Sequence, residues 1–367
     1  MPKINNSTLI FTGGHHNSAL AVAQQLKKQG WNIIWIGHKY SMWKDRSPSA
    51  EFEEVTQSGI SFIELTAGKL YNTVNPLKLI RIPYGFLQAL LIMLKLKLKY
   101  RNNLKGIVTF GGYLGVPVVI SGWMLGLPSI SHEQTTSVGW ANRLISYFAK
   151  KIAISWPSSV SRFPSHKVVL TGLPLRPEIQ NSISKQSISN QIYITGGKQG
   201  SHVINETVFS LLPTLLENYQ IIHQTGSSTV FGDYNRALQI KNQLPTPLRE
   251  RYHIYKYLSA DQTAAALSSS MLVVTRSGAH VTYELAYLKT RCVLIPIPWS
   301  SHDEQYRNAS VLEAAHQGVI LPQDKLNPQS LFEAIKTAET LVPVKLSIID
   351  NGLELMVQLI NTTFAPS

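Results

Sequence analysis

Two stretches of the chain hold residues of the types that bind phosphate and sugar. In one, Arg276-Ser277-Gly278-Ala279-His280-Val281 is followed by Glu284, a carboxylate six residues past Gly278. In the other, Ser300-Ser301-His302-Asp303-Glu304-Gln305 opens a polar run. A guanidinium offers a planar fork to phosphate, and a carboxylate accepts hydrogen bonds from a sugar diol. Two glycine turns let backbone N–H groups approach an anion: Gly13-Gly14, ahead of His15-His16, and Gly196-Gly197-Lys198-Gln199-Gly200. These residues point to a nucleotide-sugar pocket. The spacing by itself is met more often in an ordinary βαβ unit with polar surface residues.

Other chemistries fit less well. No Gly-x4-Gly-Lys-Ser/Thr loop occurs, which argues against a P-loop kinase or ATPase. A nicotinamide dinucleotide site wants an acidic residue closing the second strand, whereas that strand ends Ile36-Gly37-His38-Lys39. There is no Asp-x-Asp and no metal-ligand cluster, so neither a metal nor a cofactor is expected. His15 and His16 beside a glycine turn are read as hydrogen-bonding groups before metal ligands.

The elements that must position these residues alternate strand and helix. Ser7–Thr12, Trp31–Ile36, Ile60–Leu65, Gly106–Phe110, Pro128–His132 and Lys151–Ser155 read as buried strands. Helices are predicted at Ser18–Lys28, Pro83–Tyr100, up to Met124, and at Trp140–Ala149. The pattern then restarts, with a strand at Gln191–Thr195, a helix at Ser201–Leu216, and strands at Met271–Val274 and Cys292–Ile297. Thr12-Gly13-Gly14 and Thr195-Gly196-Gly197 each join a strand to a helix, so one nucleotide-type fold is used twice. The expected architecture is α/β, with two doubly wound parallel sheets. The domains are drawn as 1–173 and 174–367, the second ending in an extra helix within Leu341–Phe364.

The 367 residues suit two such domains. With 44% hydrophobic and 15% charged residues the chain should fold. The single cysteine, Cys292, lies in an apolar run, which fits a reducing compartment. The N-terminus lacks the regions of a signal peptide. The net charge of +13 is confined to one half: residues 1–173 hold 19 Lys+Arg and 6 Asp+Glu, whereas residues 174–367 hold 15 of each. Between Leu65 and His132 there are eight basic residues (Lys69, Lys78, Arg81, Lys95, Lys97, Lys99, Arg101 and Lys105) and no acid. Such a field suits an anionic surface. The stretch Leu77–Arg101 is too interrupted to span a bilayer. Its helical repeat fits a core helix with a basic edge at least as well as a helix lying on a membrane, and the missing acids favour the membrane. Basic and aromatic residues do not interleave as in single-strand binders, so nucleic acid is not the expected partner.

In their order along the chain, the motifs resemble those of the MurG family of peptidoglycan glycosyltransferases. The motifs are Thr12-Gly13-Gly14-His15, Gly111-Gly112-Tyr113 with Pro117, His132-Glu133-Gln134, Gly172-Leu173-Pro174-Leu175-Arg176, the Gly196–Gly200 turn, His223-Gln224-Thr225-Gly226, Arg276-Ser277-Gly278-Ala279 with Glu284, and Gln305 with Asn308. The resemblance covers nearly the whole length. It implies the GT-B fold, two Rossmann-like domains facing a cleft, and inverting transfer of N-acetylglucosamine from UDP-GlcNAc to a polyprenyl-pyrophosphate-linked sugar, lipid I, at the cytoplasmic face of the membrane. It further implies Leu258 at uracil, Glu284 at ribose, and Arg176 with Gly197, Lys198, Gln199 and Gly200 at the diphosphate. Glu304, Gln305 and Thr135 would lie near the transferred sugar, and Gly13-Gly14 at the acceptor pyrophosphate. His15 would be the general base, with Glu133 in reserve. The sequence departs from the family at His16-Asn17-Ser18, where a hydrophobic residue, an aromatic and proline are usual. It also departs at Thr135 (usually Asn), Lys198 (usually Ser) and Glu304 (usually Gln or His). The rival enzymes on the same fold are a transferase with another lipid acceptor and a UDP-GlcNAc 2-epimerase.

Overall fold

The computed structural model describes residues 7–40, 48–66, 81–182, 188–300 and 303–364. Lys69, Lys78, Ser301 and His302 lie outside them. The chain divides into two units, Met1–Arg176 with Ile349–Ser367, and Pro177–Ile348.

The first unit is built on β1 (Thr8–Thr12), β2 (Asn32–Gly37), β3 (Ser61–Glu64), β4 (Leu104–Thr109), β5 (Ser129–Glu133), β6 (Lys151–Ile154) and β7 (Val168–Leu170). All pair parallel, in the order β3-β2-β1-β4-β5-β6-β7. The apolar runs of β1 and β2 are buried on both faces, as helix-covered parallel strands require. On one face Leu9 and Phe11 pack with Ala19, Val22 and Leu26 of the His16–Lys28 helix. On the other, Ile10 and Ile107 pack with Met93 and Val118 of the Arg81–Tyr100 and Gly115–Met124 helices.

The final helix, Gly352–Phe364, belongs to this first unit and not to the second, which corrects the expected boundary. Its apolar side, Leu353, Met356, Val357, Ile360 and Phe364, joins the core around Leu9 and Phe11. Trp31 Nε1 donates to Asn361 Oδ1 at 2.9 Å. An amphipathic helix packs wherever an apolar face awaits it, and chain order does not specify which sheet supplies that face.

The second unit comprises β8 (Ile188–Thr195), β9 (Gln220–Gln224), β10 (Tyr252–Tyr255), β11 (Ser270–Thr275), β12 (Arg291–Leu294) and β13 (Gly318–Ile320). They form a parallel sheet in the order β10-β9-β8-β11-β12-β13. In each sheet the strand order reverses once, at β1/β4 and at β8/β11. The crevice outside the carboxyl ends of the strands at that reversal is where ligands enter such sheets. Cys292 is fully buried in β12, and burial pushes its thiol pKa up. Among the described residues no helix is long and apolar enough to cross a membrane.

Candidate active site

In the first unit two glycine turns meet at the reversal. Gly14 follows β1, and Gly111-Gly112 follows β4. A Cβ on Gly14 would stand 2.5 Å from the Gly111 carbonyl oxygen, so only glycine lets the two backbones touch. Below them Thr12 Oγ1 donates to Thr109 Oγ1 at 2.8 Å, tying the two strand ends together. The Gly13-Gly14 turn opens the His16–Lys28 helix, whose first residues no side chain caps. Free N–H groups at such an N-terminus attract an anion.

His15 occupies the N-cap position and is half-buried. Desolvation, and then the neighbouring His16, lower its pKa to about 4. It is therefore neutral near pH 7, the form that can accept a proton.

Glu133, the reserve base, is bonded on both carboxylate oxygens. Its Oε1 accepts from Thr135 N (3.0 Å) and Thr135 Oγ1 (2.8 Å), and its Oε2 from Asn142 Nδ2 (2.8 Å). Burial raises its pKa, against the pull of these bonds from Asn142 and Thr135. Both oxygens are occupied in folding the His132–Thr135 turn back on itself, so Glu133 is a brace. Thr135 is buried within the same turn and its carbonyl accepts from Ser159 Oγ at 3.0 Å. Between them, the Gln134 side chain is fully buried, and neither amide atom has a hydrogen-bond partner among the described residues. His132 Nε2 meets the Gly172 carbonyl at 3.1 Å, and burial lowers its pKa to about 4.

Sequence reasoning missed a helix here, Ala50–Gln57, and with it Glu51. Ser49 caps that helix by accepting from Phe52 N at 3.1 Å. The Glu51 carboxyl lies at the carboxyl ends of β1 and β2 and accepts from Trp35 Nε1 at 2.7 Å. A signal was present: three of the six acids of residues 1–173 crowd into Glu51, Glu53 and Glu54. Near it, His38 Nε2 is hydrogen-bonded to the Tyr113 hydroxyl.

In the second unit the reversal at β8/β11 brings two more helix starts together. The turn Gly196–Gly200 follows β8 and opens the helix His202–Asn218. Gly200, at φ +85°, lies against Thr225 and Gly226; a Cβ would fall 2.0 Å from the Thr225 carbonyl oxygen. Gln224, at the end of β9, donates to Thr195 Oγ1 (3.2 Å) and to the Gly197 carbonyl (2.9 Å). Its Oε1 accepts from the backbone of Leu258 at 3.1 Å. One amide thus joins the glycine turn to the loop holding Leu258, which is buried. The Lys198 carbonyl accepts from Ser227 N at 2.9 Å, while its ammonium lies 5.8 Å from the Tyr257 ring. The Gln199 carbonyl accepts from Ser228 N at 3.3 Å.

Across the reversal, β11 ends at Thr275 and the helix Ala279–Leu288 starts after Gly278, again with no side-chain cap. Ala279, His280 and Val281 are its first residues, and Glu284 is buried in its second turn. Ser277 Oγ and Thr282 Oγ1 are buried without a hydrogen-bond partner among the described residues. The Arg276 guanidinium is committed to protein acceptors. It donates to Ile295 O (3.0 Å), Ser201 Oγ (2.7 Å) and Gln323 Oε1 (2.7 Å), and desolvation lowers its pKa to about 10. It clamps the glycine turn's helix to the β11 and β12 exits. Gln305 Oε1 accepts from Ile297 N at 3.1 Å, and Asn308 Nδ2 donates to the Ser277 carbonyl at 3.2 Å. Glu304 begins the Glu304–Ala314 helix. A cavity of about 350 Å³ opens beside it, lined by Pro296, Ile297, Asp303, Tyr306 and Gln323 among others. Arg176 is the last residue of the first unit's main segment.

Known proteins resemble this chain in both halves. Residues 9–154 match the glycosyltransferase family 28 N-terminal domain and residues 191–341 its C-terminal domain. The UDP-N-acetylglucosamine–N-acetylmuramyl-(pentapeptide) pyrophosphoryl-undecaprenol N-acetylglucosamine transferase of Clostridium kluyveri is 31% identical over 349 residues, covering 89% of this chain and 90% of the relative. Among solved structures, Acinetobacter baumannii MurG superposes with a TM-score of 0.70 at 23% identity, over 97% of this chain and 99% of that one. A UDP-GlcNAc 2-epimerase from Methanocaldococcus jannaschii shares the fold at TM-score 0.60 and 11% identity, over 97% and 99% of the two chains. The fold alone is therefore common to transferases and epimerases, while the paired domain matches and the Clostridium relative carry the assignment: the chain is a glycosyltransferase of family 28 and belongs to the MurG family within it.

Proposed function

We propose that the protein transfers N-acetylglucosamine from UDP-GlcNAc to undecaprenyl-pyrophosphoryl-MurNAc-pentapeptide, converting lipid I to lipid II with inversion at the anomeric carbon. The observation that carries this reading is the Clostridium relative of that activity, aligned over nine-tenths of both chains. In the second unit, Leu258 meets uracil and Glu284 the ribose diol. The Gly197–Gly200 backbone and the Lys198 ammonium meet the diphosphate, and Arg176 adds its charge. Arg276 holds the turn for this task without spending its own N–H groups on phosphate. The uncapped Ala279 N-terminus, with Ser277 and Gly278, completes the cradle. Glu304, Gln305 and Thr135 lie at the transferred sugar.

In the first unit the Gly13-Gly14 turn receives the acceptor pyrophosphate. The acceptor hydroxyl attacks C1, the C1–oxygen bond to UDP breaks, and His15 takes the hydroxyl proton. A pyrophosphate beside His15 raises its pKa from about 4, which makes a neutral, weak base stronger once the acceptor is bound. The charge of the departing UDP is met by N–H groups and helix dipoles, with no metal required. Incubating the protein with UDP-GlcNAc and lipid I, and looking for UDP and lipid II, tests the reaction; release of UDP with no glycosylated lipid defeats it.

We further propose that the first unit docks on the anionic cytoplasmic leaflet. Leu87, Leu91, Leu94 and Leu98 form an exposed stripe on the Arg81–Tyr100 helix. The neighbouring Gly115–Met124 and Trp140–Phe148 helices add exposed Trp123, Met124, Trp140 and Tyr147. Exposed apolar and amphipathic aromatic side chains on adjacent helices are unusual in a protein that meets only water. Lys95, Lys99 and Arg143 are exposed among them, but Lys97 is committed to the Leu125 carbonyl. Replacing Lys95 and Lys99 with Glu should release the protein from anionic vesicles, since each basic residue near the surface contributes about 1 kcal/mol. Wild-type protein that fails to sediment with such vesicles at low salt would defeat the docking.

A further inference from the structure

Glu51 is assigned no part in the reaction above, yet it lies directly against the acceptor turn. A Cβ on Gly13 would stand 2.7 Å from Glu51 Oε1 and 2.7 Å from the Trp35 ring, and one on Gly37 would stand 2.9 Å from the same oxygen. The carboxyl is wedged between the ends of β1 and β2, beneath the turn that opens the His16–Lys28 helix. Trp35 Nε1 and the His38 backbone N–H hold it there. Ser49 fixes the other side: its hydroxyl caps the Glu51 helix and donates to the His38 carbonyl at 2.7 Å.

A carboxylate under an anion-binding turn is a contradiction if it is ionised. Its charge would oppose the N–H groups and the helix dipole that attract the anion. The contradiction disappears when the carboxyl carries a proton. We propose that Glu51 is a positioning residue for the acceptor: it supports Gly13-Gly14 from below, and the turn accepts an anionic group when Glu51 is protonated. This rests on the reading of Gly13-Gly14 as the acceptor's pyrophosphate site.

The local chemistry favours a proton near neutrality. Desolvation, larger than the opposing bonds from Trp35 and the His38 backbone, raises the Glu51 pKa to about 7. The other titratable groups around it come from every neighbouring element. His15 and His16 belong to the first turn and its helix, His16 being paired with Glu54 at 3.3 Å. His38 and Lys39 follow β2, Tyr113 follows β4, and Glu53 and Glu54 share Glu51's own helix. Glu51 and Tyr113 influence each other: the carboxylate helps burial to push the tyrosine pKa up to about 12. Tyr113 therefore stays protonated over the working range, and His15, at about 4, stays neutral there.

The test is the acceptor KM against pH, with lipid I as the acceptor and UDP-GlcNAc saturating. For wild type, KM should be flat below pH 7 and rise about tenfold per pH unit above it, as one obligatory proton requires. Glu51→Gln keeps the shape and the oxygen that accepts from Trp35, and it should make KM flat from pH 6 to 9. The KM for UDP-GlcNAc should be unmoved in both proteins. An alkaline rise that persists in Glu51→Gln overturns the proposal. A second measurement needs no variant: calorimetric titration of wild type with lipid I at pH 8, in two buffers of different ionisation enthalpy, should show uptake of about one proton, and no uptake overturns it. Transfer that proceeds with a flat wild-type KM sinks the role of Glu51 alone, whereas no transfer to lipid I at any pH sinks the assigned reaction and the role of Glu51 with it.

Discussion

The two glycine turns begin alike and end in different surroundings. Thr12-Gly13-Gly14 and Thr195-Gly196-Gly197 both join a central parallel strand to a helix at the point where strand order reverses. Around the first turn stand titratable groups with displaced pKa values: His15 and His132 lowered, Glu51 and Tyr113 raised. Around the second, the Gln224 amide, the Ser201 hydroxyl and the Arg276 guanidinium are each engaged in hydrogen bonds that fix the turn, and His202 is paired with Asp233 at 2.8 Å. In the proposed reaction the same backbone device serves proton transfer in the first unit and anion binding in the second. Perturbed groups gather where a reaction needs an acid or base, and saturated networks where it needs rigidity.

Removing the imidazole from the first turn is the largest test of this contrast. His15→Ala should lower turnover by about 10²–10⁴-fold, with UDP affinity nearly unchanged by calorimetry. Near-wild-type turnover would erase the distinction, because Glu133 is already bonded on both oxygens. The matching change in the second unit should act on binding instead. Glu284→Ala should weaken UDP-GlcNAc binding by about 1–3 kcal/mol, the cost of losing hydrogen bonds to a charged group. Unchanged affinity would remove Glu284 from the pocket.

A further effect, on stability instead of turnover or binding, should appear in acid in both units. His132 and His223 are fully buried, and their pKa values are lowered to about 4 and about 3, in each case chiefly by desolvation. A base whose folded pKa lies below its unfolded value of about 6.5 stabilises the fold above 6.5, and that contribution is lost as pH falls towards the folded value. Each histidine should therefore remove about 1.4 kcal/mol per pH unit between pH 6.5 and 4. Thermal melts from pH 7 to 4 should show it, and a pH-independent melting temperature would contradict it. The smallest expected effect is none at all: excess EDTA should leave the rate unchanged, and loss of activity restored by a divalent cation would overturn the metal-free mechanism.

Much of this molecule is legible in its sequence because the signals are local. A β-rich run, a Thr-Gly-Gly turn and a helical repeat specify strand, turn and helix over neighbouring residues, and their recurrence from β1 to β8 predicts two parallel sheets. The site motifs sit where those turns place them. The confined charge is also a sequence property, and it led to the exposed helix face that carries Lys95 and Lys99. Three things were decided only by tertiary structure. The Gly352–Phe364 helix packs on the first core, because hydrophobic burial ignores the order of the chain. Arg276 reads as a free functional group until Ser201 and Gln323 are brought to it, since hydrogen-bond partners far apart in sequence leave no local trace. Neither Glu51 nor its helix is singled out by the sequence; its proposed role comes from Gly13, Trp35 and Tyr113 closing around it, and burial of that kind is created only when separate strands meet.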